Sequence, residues 1–220
     1  MLDQNLRYHI IERWQTPASA YPRAELGEWS ISTRSQEPGI YKMQTYGSFY
    51  YQPNPIQLTV LKEGDLVWFT DEPRQMYALA DIGLFRAFGK VIVGGLGLGL
   101  IHHFLRSNPM VSQVITIERA EKLRELVWPY MAYGELVIGD FYDVLPEISD
   151  ADTIITDFIF GYQGEETWAE IKTQRDFIGK YLPNAQFLEH GYQHRLDAED
   201  VQKVVPDSAL GLFDQVKIVR

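Results

Sequence analysis

Cysteine is absent from the 220 residues. Its absence excludes a disulfide framework, a thiolate metal site and a cysteine nucleophile, and it is compatible with a reducing, cytoplasmic setting. Positive charge is in short supply. Lys and Arg number 20 against 30 Asp and Glu, for a formal net charge of −10 at pH 7. A chain of that sign has no general attraction for phosphate backbones, so nucleic acid is not an expected partner, although a local basic patch is compatible with the total. Long apolar runs are missing too. The most apolar stretch, residues 91–105, carries six glycines and histidines and is too short to span a bilayer as a helix. The opening Met1-Leu2-Asp3-Gln4-Asn5-Leu6-Arg7 puts charge where a signal peptide needs an apolar core. The reading is a soluble chain with no membrane partner. There is also no Ser-His-Asp order, no Walker lysine turn, no zinc-finger pattern, no internal repeat and no low-complexity run.

What is present is an ordinary globular composition, 45% hydrophobic and 23% charged. The length suits one large domain, or one domain with a small appendage. Leu2, Leu6, Ile10 and Trp14 recur at fourfold spacing with Ile11 beside them, which predicts an amphipathic helix over 2–15. Residues 16–27, with Pro17, Pro22 and Gly27, read as a loop. From residue 28 the period drops to two, in segments around 29–32, 40–43, 56–60 and 66–70, which predicts a small antiparallel β-meander. Pro73 then opens a helix running to Ala87. These readings divide the chain into residues 1–72, a helix and β-meander, and residues 73–220.

The second part opens on Val91-Ile92-Val93 running into a glycine cluster, with a helix over 100–106. Strands then follow at 114–117, 136–138, 153–155, 186–188 and 216–219. Helices are expected at 120–133, kinked or stopped near Pro129, and at 142–148, 168–182 and 197–205. That alternation predicts an α/β, Rossmann-like, doubly wound and mostly parallel sheet, with ligands outside the carboxyl ends of its strands.

Those carboxyl ends hold the candidate site residues. Gly95-Leu96-Gly97-Leu98-Gly99 has the form GxGxG, whereas the dinucleotide fingerprint needs Gly or Ala where Leu100 stands. Such a turn lets backbone N–H groups approach a ligand at a helix N-terminus, or it is simply a tight strand-to-helix turn. Glu118 ends the next strand about twenty residues on, where a carboxylate accepts both hydroxyls of a ribose; the alternative is a solvated strand-end carboxylate. Asp140, between Gly139 and Phe141, suits an adenine amine with the ring packed on the base, or else an N-cap at Tyr142. Asp157 suits orientation or deprotonation of a nucleophile, or the holding of a cationic amine, or a cap. Phe158, Phe160, Tyr162 and Trp168 line an acceptor pocket or pack in the core. His190 and His194 lack a third ligand and read as structural. Of His102 and His103, one faces the sheet and one the solvent. No metal is assigned, and Glu165-Glu166 reads as a solvated helix start.

In order and spacing, the glycine turn, Glu118, Gly139-Asp140 and Thr156-Asp157 resemble the motifs of class I S-adenosylmethionine-dependent methyltransferases. The stretch from Val67-Trp68-Phe69-Thr70-Asp71-Glu72-Pro73 to Gly99 is most similar to the spermidine synthase-like group within them. The resemblance covers roughly residues 55–190. It implies that S-adenosyl-L-methionine (or its decarboxylated form) is held by Gly94, Gly95, Leu96, Gly97 and Gly99 at its methionine end. It further implies Glu118 with Arg119 at the ribose, Asp140 with Phe141 at the adenine, and Asp157 at the reactive end as the catalytic residue. Tyr77, Phe158 and Tyr162 fall on the acceptor side.

Departures from the group's pattern narrow the reading. Spermidine synthases carry Asp-Ser-Thr-Asp-Pro where this chain has Asp157-Phe158-Ile159-Phe160-Gly161. Gly97 replaces an Asp, and Ala78 and Leu79 replace the His and Glu beside the substrate-side tyrosine. The expected activity is therefore methyl transfer to a small-molecule or protein nucleophile. Polyamine-type aminopropyl transfer and a catalytically silent binding or assembly module are the alternatives, and a nicotinamide oxidoreductase is disfavoured by Leu100. A homo-oligomer such as a homodimer is compatible with the resemblance.

Overall fold

The computed structural model describes residues 8–42, 49–158, 164–191, 193 and 196–197. Where the fourfold spacing predicts a helix, residues Tyr8–Ile10 form a strand, β1. Ile10 is 65% exposed while Ile11 is buried at 6%. Adjacent residues on opposite sides are a period of two, and the Ile11 N–H donates to the Tyr51 carbonyl at 2.9 Å. Pairing with a neighbouring strand has overridden the helical spacing. Residues 2–7 of that expected helix lie outside the described residues.

The expected loop over 16–27 is more ordered than its composition suggests. Pro17–Ala20 form a 3₁₀ turn and Ala24–Leu26 a strand, β2. Then come β3 (Trp29–Gln36), β4 (Gly39–Lys42), β5 (Phe49–Gln52), β6 (Ile56–Glu63) and β7 (Leu66–Thr70). They form an antiparallel sheet ordered β2-β3-β6-β7 and a small sheet ordered β1-β5-β4. In the small sheet β1 runs parallel to β5, so it is mixed rather than a pure meander.

Pro73 opens α1 (Pro73–Ala80), as expected. The helix continues as a π-helical turn, Asp81–Arg86, and ends at Ala87. After it come β8 (Gly89–Gly94), α2 (Leu100–Ser107), β9 (Val111–Glu118), α3 (Glu121–Leu126) and α4 (Trp128–Met131). The break between α3 and α4 falls at Val127, two residues before Pro129, whose ring cannot continue a helix interior. Next are β10 (Glu135–Ile138), α5 (Phe141–Val144), β11 (Thr153–Thr156), α6 (Gly164–Tyr181) and β12 (Gln186–Glu189). Glu166, in the first turn of α6, is exposed as expected. The expected strand 216–219 and helix 197–205 lie outside the described residues, apart from Asp197.

The main sheet is ordered β10-β9-β8-β11-β12, and every pairing in it is parallel. This is the Rossmann-like, doubly wound α/β fold. Both faces are covered, so its strands are continuous apolar runs: Val91, Ile92 and Val93 are all fully buried. Ile92 packs with Ile115, Ile154, Ile178 and Leu182 on one face. Val91 and Val93 pack on the other with Leu98, Leu105 and Leu123. That second cluster also takes in Tyr21, Trp29, Ile31, Leu61 and Phe69 from the amino-terminal part. Residues on either side of position 72 therefore share one core.

Candidate functional site

Strand order dictates where a crevice opens. From β8 the chain winds through β9 to β10 on one side, then returns to β11 and β12 on the other, so the order reverses between β8 and β11. Doubly wound sheets bind ligands outside the carboxyl ends of the strands at that reversal. Here it is occupied by the turn after β8 and by Asp157 after β11, whose N–H donates to the Gly94 carbonyl at 3.1 Å.

Two glycines of the turn have separate physical reasons. A Cβ on Gly94 would sit 2.7 Å from Phe158 Cε1 and 2.9 Å from Phe141 Cδ2, so the strand end passes under these rings only without a side chain. Gly97 has φ +52°, the left-handed region, and a Cβ there would meet nothing nearer than Phe69 at 3.8 Å. Its backbone faces open space on the cleft. Leu96, between them, is 3% exposed and belongs to the core; its side chain serves packing and its N–H serves the site.

That N–H donates to Glu118 Oε2 at 2.7 Å, while Oε1 of the same carboxylate accepts from the Ala120 N–H at 2.7 Å. Glu118 thus ties the glycine turn to the start of α3. It is 7% exposed; burial pushes its pKa up from the ordinary carboxylate value, against the two N–H bonds and the nearby Arg119. A carboxylate has about four lone-pair directions; the N–H groups of Leu96, Ala120 and Arg119 act on Glu118, which leaves one for a ligand.

Glu118, Arg119, Asp140, Phe141, Asp157 and Phe158 line one cleft with Gly95 and Gly97, of about 370 Å³. The N-cap reading of Asp140 is realised, its Oδ1 accepting from the Tyr142 N–H at 2.9 Å at the start of α5, and the residue also lines the cleft, where a ligand would pass. Asp157 Oδ1 lies 2.7 Å from Nδ1 of His190, which is fully buried and stands 6.0 Å, ring to ring, from Phe69. Gly99 starts α2 at the far end of the turn. Tyr77 stands apart: it lies on α1, is 43% exposed and does not line the cleft. Trp168 packs with Ile171 and Leu196 in the core. Tyr162, Phe160 and His194 lie outside the described residues. No group of three or more metal-ligating side chains occurs among the described residues.

Several site residues escape sequence reasoning. Trp29, Trp68 and Phe69 bring the amino-terminal sheet to the cleft, and Glu170 brings α6. Trp29 and Trp68 stack at 6.1 Å, with the Arg119 guanidinium 5.5 Å from the Trp68 ring. The Tyr21 hydroxyl donates to the Leu98 carbonyl within the glycine turn at 2.9 Å; burial raises its pKa. Asp71 is fully buried, and burial raises its pKa although it accepts from the Thr16 hydroxyl and, at 2.6 Å, from the Thr59 N–H. Its carbonyl also accepts from Trp14 Nε1 at 2.7 Å. His190 joins the site through the strand register: Thr156 pairs with Glu189, so the next residues, Asp157 and His190, emerge side by side. As expected, His102 turns inward, to the Gly99 carbonyl and the Thr116 hydroxyl, and His103 outward.

The fold and this cleft place the chain in the class of Rossmann-like α/β proteins with a glycine turn and a strand-end carboxylate facing one crevice. No family model and no curated protein matches the sequence. Among solved structures, a spermidine synthase from Thermotoga maritima is similar at 16% identity over 59% of each chain, with a TM-score of 0.37. A spermidine synthase in complex with the transition state analogue AdoDATO matches at 17% identity over 56% of this chain and 57% of the other, with a TM-score of 0.36. A SAM-dependent methyltransferase from Thiobacillus denitrificans, in complex with S-adenosyl-L-homocysteine, matches at 14% identity over 54% of this chain and 48% of the other, with a TM-score of 0.36. The matched span is thus less than two thirds of each of these structures.

Proposed function

We propose that this chain binds S-adenosylmethionine in the cleft outside β8, β9 and β11 and transfers its methyl group to a small-molecule or protein nucleophile. One observation carries the reading: the buried Glu118 carboxylate is joined at 2.7 Å to the N–H of Leu96 in the glycine turn, on the wall of a single cleft. The residues fit the group. Gly97 leaves backbone open where a side chain would intrude, Glu118 keeps a lone pair for a ribose hydroxyl, and Asp140 with Phe141 suits an adenine edge and face.

When bound, the cofactor supplies a methyl group already activated by its sulfonium. The chain's own work is then mainly alignment and exclusion of water. Trp68, Phe69 and Phe158 wall the cleft, and Asp157 orients an acceptor or takes its proton at a carboxylate oxygen while His190 holds the other end of the carboxylate in place. Aminopropyl transfer is the second reading. It is favoured by Asp140, Asp157 and Glu170 sharing the cleft, since carboxylates suit a cationic amine, and it is opposed by Ala78 and Leu79 beside Tyr77.

Calorimetric titration with S-adenosylmethionine, its decarboxylated form and NAD tests both readings. Saturable binding of the first, weaker binding of the second and none of the third is the expected order. Absence of binding by either sulfonium would overturn the assignment.

A further inference from the structure

We propose that a second cavity, bounded by β3, β4, β5 and the start of α1, binds a small dianion: a phosphate-bearing molecule or a dicarboxylate. The cavity holds about 410 Å³ and, among the described residues, shares no lining residue with the cleft already described. Among the described residues three cations reach it, Arg34, Lys42 and Arg74, against one carboxylate, Glu72. In a chain whose total charge is −10, that local excess runs against the whole.

The floor is buried and fixed. Tyr50 is 1% exposed, and Gln36 and Glu72 are each 9% exposed. Gln36 Nε2 donates both its hydrogens, to the Tyr50 hydroxyl at 2.9 Å and to Gln52 Oε1 at 2.8 Å. The Tyr50 oxygen is therefore an acceptor toward Gln36 and presents its own hydrogen as a donor. The Tyr41 ring stacks on Tyr50 at 5.2 Å and lines the same cavity. Glu72 already accepts from Arg74 Nε at 2.5 Å and from Gln75 Nε2 at 3.2 Å. Its charge is answered within α1, which leaves the rim a surplus of about two positive charges.

Cations sharing one cavity repel each other, and a dianion relieves that repulsion while using the planar donor fork of Arg34 and the ammonium of Lys42. Arg34, Lys42 and Arg74 are exposed side chains, so the attraction is screened by salt and the affinity falls as ionic strength rises.

The full chain is titrated calorimetrically in low salt with inorganic phosphate, succinate and acetate, without S-adenosylmethionine. Saturable binding of phosphate or succinate, and at least tenfold weaker binding of acetate, is expected. Phosphate ahead of succinate identifies a phosphorylated ligand, and the reverse order a dicarboxylate. The double variant Arg34→Ala/Lys42→Ala is expected to lose at least tenfold in affinity, and Tyr50→Phe several-fold with its ring retained. Binding that does not saturate, acetate equal to the dianions, or unchanged affinity in the double variant would each overturn the proposal. The readout stands apart from the proposed cofactor site, because the two cavities have no described residue in common.

Discussion

Asp157 Oδ1 and His190 Nδ1 lie 2.7 Å apart because β11 and β12 run parallel in a register that pairs Thr156 with Glu189. The contact is a part-buried hydrogen bond between the ring and the carboxylate. His190→Ala is expected to lower stability by about 1–3 kcal/mol, since it removes a buried ring and leaves a carboxylate without that donor. At about 2–4 °C per kcal/mol for a chain of this size, calorimetry or thermal denaturation resolves the change. Asp157→Asn is expected to keep the fold and to abolish transfer to acceptor. Full activity of that variant would remove Asp157 from the catalytic role.

For Glu118, affinity and stability are expected to change together. Glu118→Gln keeps the size of the side chain but turns an NH₂ toward either the Leu96 or the Ala120 N–H. Binding of S-adenosylmethionine is expected to weaken about ten- to a hundredfold, equivalent to losing about 1.5–3 kcal/mol of charge-assisted hydrogen bonding. A dissociation constant equal to that of the parent chain would sink the ribose assignment. Because burial raises the Glu118 pKa, the native state binds this proton more tightly than the unfolded chain does. Its contribution to stability is thus largest in acid and declines as pH rises through the raised value.

His102 has the opposite sign. Burial holds its pKa at about 4, down from 6.5, so the folded protein keeps a neutral imidazole between the Gly99 carbonyl and the Thr116 hydroxyl. The unfolded chain takes up the proton first. Stability on the order of 3 kcal/mol is present above pH 6.5 and is lost as pH falls toward 4. Urea denaturation of the parent chain and of His102→Gln, at pH 7 and at pH 4.5, is expected to show the steeper acid loss in the parent. Parallel pH profiles would contradict it.

The two glycine substitutions should separate strain from collision. Gly97→Ala meets open space but must hold φ +52°, a cost of about 1 kcal/mol. Gly94→Ala drives a methyl group into Phe158 and Phe141 and is expected to destabilise by several kilocalories, in the manner of other overpacked sites. A thermal-shift comparison with the larger loss at Gly97 would reverse this account of the turn.

The parallel sheet was legible in the sequence because its signals are local. Val91-Ile92-Val93 is buried on both faces and therefore reads as an unbroken apolar run, and Glu118 falls at a fixed spacing from the turn. The amino-terminal strand was not legible. Ile10 and Trp14 keep helical spacing, yet Ile11 is bonded to Tyr51, forty residues on, and no local pattern announces such a pairing. His190 reads as structural for want of a third metal ligand; its bond to Asp157 was hidden because the two are 33 residues apart and only the parallel register brings them together. The aromatic wall from β3 and β7 was hidden for the same reason: a meander shows which of its residues are apolar, but not what they face.

The bond from the Tyr21 hydroxyl to the Leu98 carbonyl has one more consequence. A phenol that precedes the parallel sheet by some seventy positions steadies the bend where a ligand would be gripped. A change in the amino-terminal layer that shifts Tyr21 would therefore be felt in the poise of that bend.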